Sequence, residues 1–550
     1  CLQYLYGAKN MNMISTGAFQ TEMDASNKQP TLAEKFAAVW EKKNAKAARA
    51  GGVSLMALSL AACGSDDSTT TTSSDTTTTT TTASSGAYAL TTSIDTVTGG
   101  SGDDTIAGGA TSAATQTLNT LDSINGGAGT DTLSAVLYSN ATPGTTAVET
   151  YNVSANAAAT LDMSGSTGVT SITNTGSTNL LTVTNIGSDV ALTLSSTASG
   201  GTFNYAASTV TGTADAKTVT ISSVTGGTLN MGTGVETLTV DSTGSANTLA
   251  GLSTSATTLN ITGSSNLTIN AAGELTAQTT IDASAATGSI SLQTDTTVAN
   301  SITTGSGNDS ITADGSNDVI ETISVGAGND TVTFDGNLAN KDVIDGGEGT
   351  DTLASTFALL DGLTNATAAT DNISNFEALT FTTSFTNGQT FNVASVQKTG
   401  ITTVTSDDAA FGGTAVINFL AGASTFNVAA PLAGQTTVDA AGTATDDSIT
   451  INVTDSGADA IANSNIVSTD YETMTISTSG TGLDANQDFG TVTMTASTGG
   501  TTTLKVIGDN AVVTAGALTA ETIDFSGLTD TDGFQMGAAA VGVTTITGSA

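Results

Sequence analysis

Histidine is absent from all 550 residues. That absence removes the Ser-His-Asp triad, the Cys-His pair, the His-containing zinc protease site and most zinc sites. Tryptophan occurs once, at Trp40, so the chain beyond it lacks the side chain best suited to stack on sugars. Carboxylate-only catalysis, as in glycoside hydrolysis, is chemically open. With 50 acids, however, some neighbour one another by chance, and proximity in sequence signals nothing. The expectation is a protein that is not an enzyme. Cysteine occurs only at Cys1 and Cys63, so no disulfide can form beyond Cys63, and proline occurs three times.

Positive charge is scarce and unevenly placed. Of 11 cationic residues, seven precede Cys63, leaving Lys217, Lys341, Lys398 and Lys505; only four of the 50 acids precede it, so the remainder carries 46 acids against four bases, a net of −42. Such a field repels nucleic acid and anionic surfaces and attracts divalent cations. It also suits solubility in salty water. Self-repulsion of this size loosens a fold unless cations neutralise part of it, which couples stability to a divalent ion.

What is abundant is Thr, Ser, Ala, Gly and Asn around short Val, Ile and Leu couplets. Leu238-Thr-Val240, Leu259-Asn-Ile261, Leu267-Thr-Ile269 and Ile290-Ser-Leu292 alternate with period two, which is the signature of a strand. No segment beyond residue 85 keeps a helical period. Strands separated at short intervals by Gly, Ser and Asn turns predict an all-β protein built of sandwiches, solenoid-like stacks or both. Nearly 500 residues of this kind predict more than one core.

Five aspartates, Asp309, Asp318, Asp330, Asp342 and Asp351, follow gaps of 9, 12, 12 and 9, each just before an apolar couplet. Three close Gly-rich turns: Gly305-Ser-Gly307-Asn-Asp309, Gly326-Ala-Gly328-Asn-Asp330 and Gly346-Gly347-Glu-Gly349-Thr-Asp351. Glycine lets the backbone turn through positive φ and bring carbonyl oxygens together, while Asp adds a hard anionic oxygen. One such turn offers too few ligands for calcium, which takes 6–8 oxygens, but two turns stacked one coil apart can supply them. A weaker run precedes it: Asp95, Asp104, Asp122 and Asp131, spaced 9, 18 and 9, with a degenerate turn expected near Ala113. Gly99-Gly100-Ser-Gly102-Asp-Asp104 and Gly126-Gly127-Ala-Gly129-Thr-Asp131 have the full glycine pattern. Asp446-Asp447-Ser-Ile lacks the glycines and reads as an ordinary turn.

Gly-Gly-x-Gly-x-Asp-x-apolar-x is a nonapeptide, and in it the chain resembles RTX proteins and related bacterial surface-layer proteins. The resemblance covers Gly99–Ser134 and Gly305–Ala354. It implies calcium as the cofactor, held by Asp104, Asp122, Asp131, Asp309, Asp318, Asp330, Asp342 and Asp351 with the turn glycines 100, 102, 127, 129, 305, 307, 326, 328, 347 and 349. It also implies a short parallel β-roll of about two and a half coils, with Asp309, Asp330 and Asp351 along one edge and Asp318 and Asp342 along the other. RTX metalloproteases are not functional relatives, because they need His-Glu-x-x-His.

A second repeat runs Val148-Glu-Thr-Tyr-Asn-Val153, Val235-Glu-Thr-Leu-Thr-Val240, Phe376-Glu-Ala-Leu-Thr-Phe381, Tyr471-Glu-Thr-Met-Thr-Ile476 and Ala520-Glu-Thr-Ile-Asp-Phe525. Each predicts one strand. Spacings of 87, 141, 95 and 49 are too uneven for solenoid rungs and suit a recurring module start. Similar Glu-Thr strands follow Gly-rich turns in RTX-type surface-layer proteins, and here Asp131 precedes Glu149 and Asp351 precedes Glu377. The Glu is read as an exposed strand residue in preference to a calcium ligand, since no Gly-rich turn adjoins it in sequence.

The first 85 residues differ. Pro30-Thr31-Leu-Ala-Glu34 is a capping box opening an amphipathic helix that Gly51-Gly52 ends. An apolar run from Val53 to Ala62 follows, too short to span a bilayer, and Leu60-Ala61-Ala62-Cys63 resembles a bacterial lipobox, which implies lipidation at Cys63. Ser65 to Ser85 is nearly all Thr, Ser and Asp, a tether unable to bury a core, with ends roughly 25 Å apart.

The chain therefore divides into a leader (1–63), a tether (64–85), a partial β-roll (86–135), a β-rich domain (136–300), a β-roll (301–355) and a further β-rich domain (356–550). The expected protein is a calcium-stabilised, surface-layer-like structural protein of the bacterial cell surface. Its partners are calcium, its own copies and cell-surface glycans, it avoids nucleic acid, and it meets the membrane only through a lipid. The alternatives are an RTX-type adhesin and a secreted polysaccharide-acting enzyme.

Overall fold

Strands with Val, Ile or Leu at alternate positions present an apolar face and a hydroxyl-bearing face. A computed structural model describes residues 84–548, apart from residues 270–274, 276, 295–297, 314–319, 337, 364–371, 407–410, 429–431, 456–463, 481–486 and 530–532. Cys63, the leader and Asp318 lie outside the described residues.

The strands stack as a parallel β-solenoid. One 14-stranded sheet runs from Ala87–Ala89 to Ile373–Ser374, and another runs from Asn247–Leu249 to Thr545–Thr547. Sheets of four, five and nine strands complete the coils where only one long sheet is present. Pairing between coils is parallel. That pairing selects the solenoid over the sandwich, whose sheets are antiparallel.

The expected domain boundaries do not interrupt the stack. Thr132–Leu137 pairs with Thr150–Ala155 across residue 136, Thr280–Ala286 with Ser301–Thr303 across residue 300, and Thr352–Ser355 with Ala378–Phe381 across residue 356. Inward residues pile on like residues: Ile311, Val332, Leu353, Leu379, Val404, Phe426, Ile451 and Ile476 form one buried column of the second long sheet. Each such residue contributes about 1.5–3 kcal/mol by leaving water. A cluster of phenylalanines fills the coil where the first long sheet ends. Phe381 meets Phe385 at 4.7 Å and Phe391 at 4.9 Å between ring centroids, and Phe357, on the short helix Phe357–Asp361, packs on Phe385 at 4.7 Å.

Two spacing arguments are corrected. All five Glu-Thr strands are rungs: Thr150–Ala155 and Thr237–Thr243 lie in the first long sheet, and Ala378–Phe381, Thr473–Gly480 and Thr522–Leu528 lie in the second. Their uneven spacing arises because coil length varies, being 18 residues from Asp131 to Glu149, 21 from Asp330 to Asp351 and 25 from Asp447 to Glu472. The slot near Ala113 is likewise no degenerate nonapeptide turn. Asp104 pairs with Asp131 at 27 residues, and the extra length is an exposed insertion carrying the 3-10 turn Ala113–Thr115.

Candidate metal sites

The Gly-rich turns between residues 305 and 351 join strands of the first long sheet to strands of the second, whereas Gly99–Asp104 and Gly126–Asp131 join the four-stranded sheet to the first long sheet. Ser301–Thr303 leads through Gly305–Asp309 to Ser310–Ala313, Thr322–Ser324 through Gly326–Asp330 to Thr331–Phe334, and Val343–Asp345 through Gly346–Asp351 to Thr352–Ser355. Backbone bonds hold turn on turn: Ala327 N donates to Gly305 O at 2.9 Å and Glu348 N to Gly326 O at 2.8 Å. Glycine is required at Gly326 and Gly347, which have φ of +81° and +86°, because a Cβ there would run into the carbonyl of the turn beneath, Gly305 or Gly326.

The aspartates form a ladder along this edge, as expected for Asp309, Asp330 and Asp351. Asp309 N donates to Asp330 Oδ1 at 2.6 Å and Asp330 N to Asp351 Oδ1 at 2.8 Å; Asp309 Oδ1 in turn accepts from Ile290 N at 2.7 Å. Near the N-terminus, Asp104 N donates to Asp131 Oδ1 at 2.7 Å. Each carboxylate thus uses one oxygen to join neighbouring coils. The second oxygen, Oδ2, of Asp131, Asp309, Asp330 and Asp351 is buried with no partner. Buried polar atoms are rarely left unpaired, and burial raises the affinity of these carboxyls for protons. Asp330 is pushed up to about 6, first by desolvation and then by repulsion from Asp309 and Asp351, against the opposing hydrogen bond from Asp309 N. Asp131, Asp309 and Asp351 are raised for the same first reason.

This arrangement fits a hard cation. No group of three acidic side chains converges among the described residues, so an ion between stacked turns takes one or two carboxylate oxygens and draws the remainder from the carbonyls that the glycines bring together. Asp104, Asp122 and Asp342 are arranged differently, with both oxygens engaged. Asp104 accepts from Gly86 N and Gly100 N, Asp122 from Asp95 N and Asn119 N, and Asp342 from Glu321 N and Ala339 N. They fasten loops between coils.

The opposite edge corrects the expected pair of Asp318 with Asp342. Thr322 pairs with Val343, so the residue one coil from Asp342 is Glu321, 21 residues away, while Asp318 lies outside the described residues. Glu321 is buried, its Oε2 accepts from Asn300 N at 3.2 Å, and its Oε1 has no partner. Desolvation, the largest influence, and repulsion from Asp342 push it up to about 7. Glu321-Thr-Ile carries the same acid-x-apolar signal as the aspartates, but a motif keyed on Asp passes over it.

The expected exposed Glu is found at Glu521, whereas in the other four Glu-Thr strands the Glu is engaged. Asp131 N donates to Glu149 Oε2, Asp215 N to Glu236 Oε2 and Asp351 N to Glu377 Oε2, at 2.8, 2.9 and 2.8 Å. Asp447 N donates to Glu472 Oε2 at 3.1 Å, and Asp447 is itself buried, with Oδ1 accepting from Gly422 N. These carboxylates continue the pattern of the aspartate ladder, and for Glu149 and Glu377 the Gly-rich turn is adjacent in space although distant in sequence. Asp447 therefore holds a ladder position despite lacking glycines.

The family described as RTX calcium-binding nonapeptide repeat (4 copies) matches residues 91–111, 121–135, 296–332 and 339–355, which hold the Gly-rich turns of both edges. No curated protein matches the chain. The chain is thus a parallel β-solenoid carrying calcium-binding RTX repeats.

Proposed function

We propose that this protein is a calcium-stabilised structural element of a bacterial cell surface, similar in role to surface-layer proteins. The observation that carries the reading is the unbroken parallel stack with calcium turns built into its edge. Roughly 22 coils at about 4.8 Å each make a rod on the order of 100 Å long, a shape suited to spacing and to lateral assembly. External calcium is millimolar, so weak sites fill outside the cell and empty in the cytosol, which makes the ordering of the Gly-rich turns conditional on export. A polysaccharide-acting enzyme needs two carboxyls converging in a cleft.

Among the described residues no helix is long and apolar enough to cross a membrane. Attachment is assigned to a lipid on Cys63, and surface glycans and further copies of the chain are its neighbours. The test is calcium titration of the full chain, followed by circular dichroism and electron microscopy. Ordered two-dimensional arrays are expected at millimolar calcium. A calcium-ordered protein that stays monomeric and captures a discrete ligand refutes the lattice and establishes an adhesin.

A further inference from the structure

Four of the five Glu-Thr repeats, all but that of Glu521, share a backbone form. Two residues before the Glu, the chain takes a left-handed conformation, at Ala147 (φ 52°), Gly234 (φ 89°), Asn375 (φ 57°) and Asp470 (φ 59°). The residue between is buried and apolar or aromatic: Val148, Val235, Phe376 and Tyr471. A left-handed alanine is unusual, and at Ala147 the conformation carries a specific contact. In the stacked nonapeptide turns, the Gly126 carbonyl lies against the α-carbon of Gly99; one coil on, the Ala147 carbonyl lies against the α-carbon of Gly126 in the same way. The Asn375 carbonyl takes this place against Gly346. Ala147 and Asn375 therefore occupy the position of the first glycine of a further nonapeptide turn. That turn would need five residues to reach its Asp, whereas here the acid follows after two, and the extra methylene of Glu makes up the reach.

The same Gly126 α-carbon also faces Asp131 Oδ2 from its own turn. Asp131 Oδ2 and Asp351 Oδ2 are both buried without a partner, and both aspartates are fully buried. Glu149 and Glu377 use Oε2 for the aspartate N–H, and their Oε1 has no hydrogen-bond partner among the described residues. At each of these two ladder ends, a buried, unpartnered aspartate oxygen and an inserted carbonyl belong to the coil step across which the Glu accepts the aspartate N–H, and at the first end that carbonyl and Asp131 Oδ2 both face Gly126. Glu149 and Glu377 lie outside the matched repeat segments, which end at residues 135 and 355.

We propose that Glu149 and Glu377 each complete a mixed calcium site with the nonapeptide turn of the preceding coil. One site is Asp131 Oδ2, Ala147 O and Glu149; the other is Asp351 Oδ2, Asn375 O and Glu377. The proposal rests on the calcium reading of the Gly-rich turns and extends it to turns without glycine pairs. Two of the remaining three Glu turns, those of Glu236 and Glu472, are internal controls. Glu236 follows Asp215, whose turn lacks paired glycines and whose Oδ2 accepts from Gly212 N. Glu472 has both oxygens engaged, by Asp447 N and by Ser497 N at 3.1 Å.

The test is calorimetric calcium titration of the full chain at neutral pH with Glu149→Gln, Glu377→Gln, Glu236→Gln, Glu472→Gln and Asp330→Asn. Glutamine keeps the acceptor for the aspartate N–H, and far-ultraviolet circular dichroism in chelator verifies that each variant folds. Glu149→Gln and Glu377→Gln are each expected to lose one ion or bind it at least about tenfold more weakly, since calcium affinity follows ligand charge. Glu377→Asp, which keeps the charge and loses the reach, is expected to behave likewise, and Glu236→Gln and Glu472→Gln to match the wild type. Unchanged binding in Glu149→Gln and Glu377→Gln, alongside loss in Asp330→Asn, overturns this inference and leaves the nonapeptide sites standing. Unchanged binding in Asp330→Asn overturns the calcium reading of the turns and the inference with it. The two sites are separate, so a folded variant at either one decides the matter.

Discussion

Replacing Asp330 by Asn separates the two roles of the ladder carboxylate. The substitution keeps an oxygen to accept from Asp309 N and leaves the bond from Asp330 N to Asp351 Oδ1 intact. What it removes is a buried charge. With Asp330 pushed up to about 6 from 3.8, the folded, calcium-free chain gives up roughly 3 kcal/mol at neutral pH by ionising this group. The Asn variant is free of that cost and is expected to be more stable than the wild type in chelator. Calcium reverses the order. The Asp330 turn is stacked between those of Asp309 and Asp351, so it serves two sites, and at ten times Kd each site adds about 1.4 kcal/mol. The two contributions therefore balance when calcium stands about tenfold above Kd, and at a hundredfold excess the wild type leads by about 2 kcal/mol. Denaturant unfolding across a calcium series measures the crossing. A variant destabilised by the same amount in chelator and in calcium refutes the argument, because the orphaned oxygen would then hold no ion.

Three further outcomes follow from the same structure. In chelator, stability should fall as pH rises: the folded chain holds protons on Asp309, Asp330, Asp342, Asp351 and Glu321 above the range where the unfolded chain loses them. Their contribution is complete below the unfolded values of 3.8 and 4.5 and is lost through the window that ends near 7, the value for Glu321. Calcium should flatten that profile in melts followed by circular dichroism, and a chelator profile that rises with pH would falsify the burial argument. Gly326→Ala combines a positive φ with a clash against Gly305 O and should cost about 1–3 kcal/mol while lowering calcium affinity; wild-type affinity would show that the turn tolerates a side chain. Phe381→Ala should cost about 3–5 kcal/mol and leave calcium stoichiometry unchanged, as read by unfolding and calorimetry, because its cluster with Phe357, Phe385 and Phe391 fills the coil where the sheets exchange.

What the sequence makes legible here is local, and what it hides is register. Asp309, Asp330 and Asp351 stand out because their glycines and the 21-residue pitch repeat within one short stretch, and a nonapeptide carries its turn and its strand together. Glu321 sits at the same kind of position but follows residues that break the glycine pattern, so the sequence draws attention to Asp318, three residues away. The Glu-Thr strands hide for a different reason. Their partners are fixed by coil length, and coil length is set by insertions such as the one holding Ala113–Thr115 and the one holding the helix Phe357–Asp361. No local window reveals that Glu377 accepts the N–H of Asp351, 26 residues earlier, or that Glu472 does so for Asp447 without a nonapeptide turn. The bond itself accounts for part of the composition. A parallel stack leaves the N–H of the residue before each strand facing the next coil, and a carboxylate there accepts it while excluding water from the turn. Many acids of this chain are thus used as backbone acceptors, so its negative charge belongs to the coil-to-coil hydrogen bonding as well as to the surface. The fold tolerates that charge only while protons or calcium occupy the oxygens left over, and for that reason the ladder should be the first part of the solenoid to loosen when calcium is withdrawn at neutral pH.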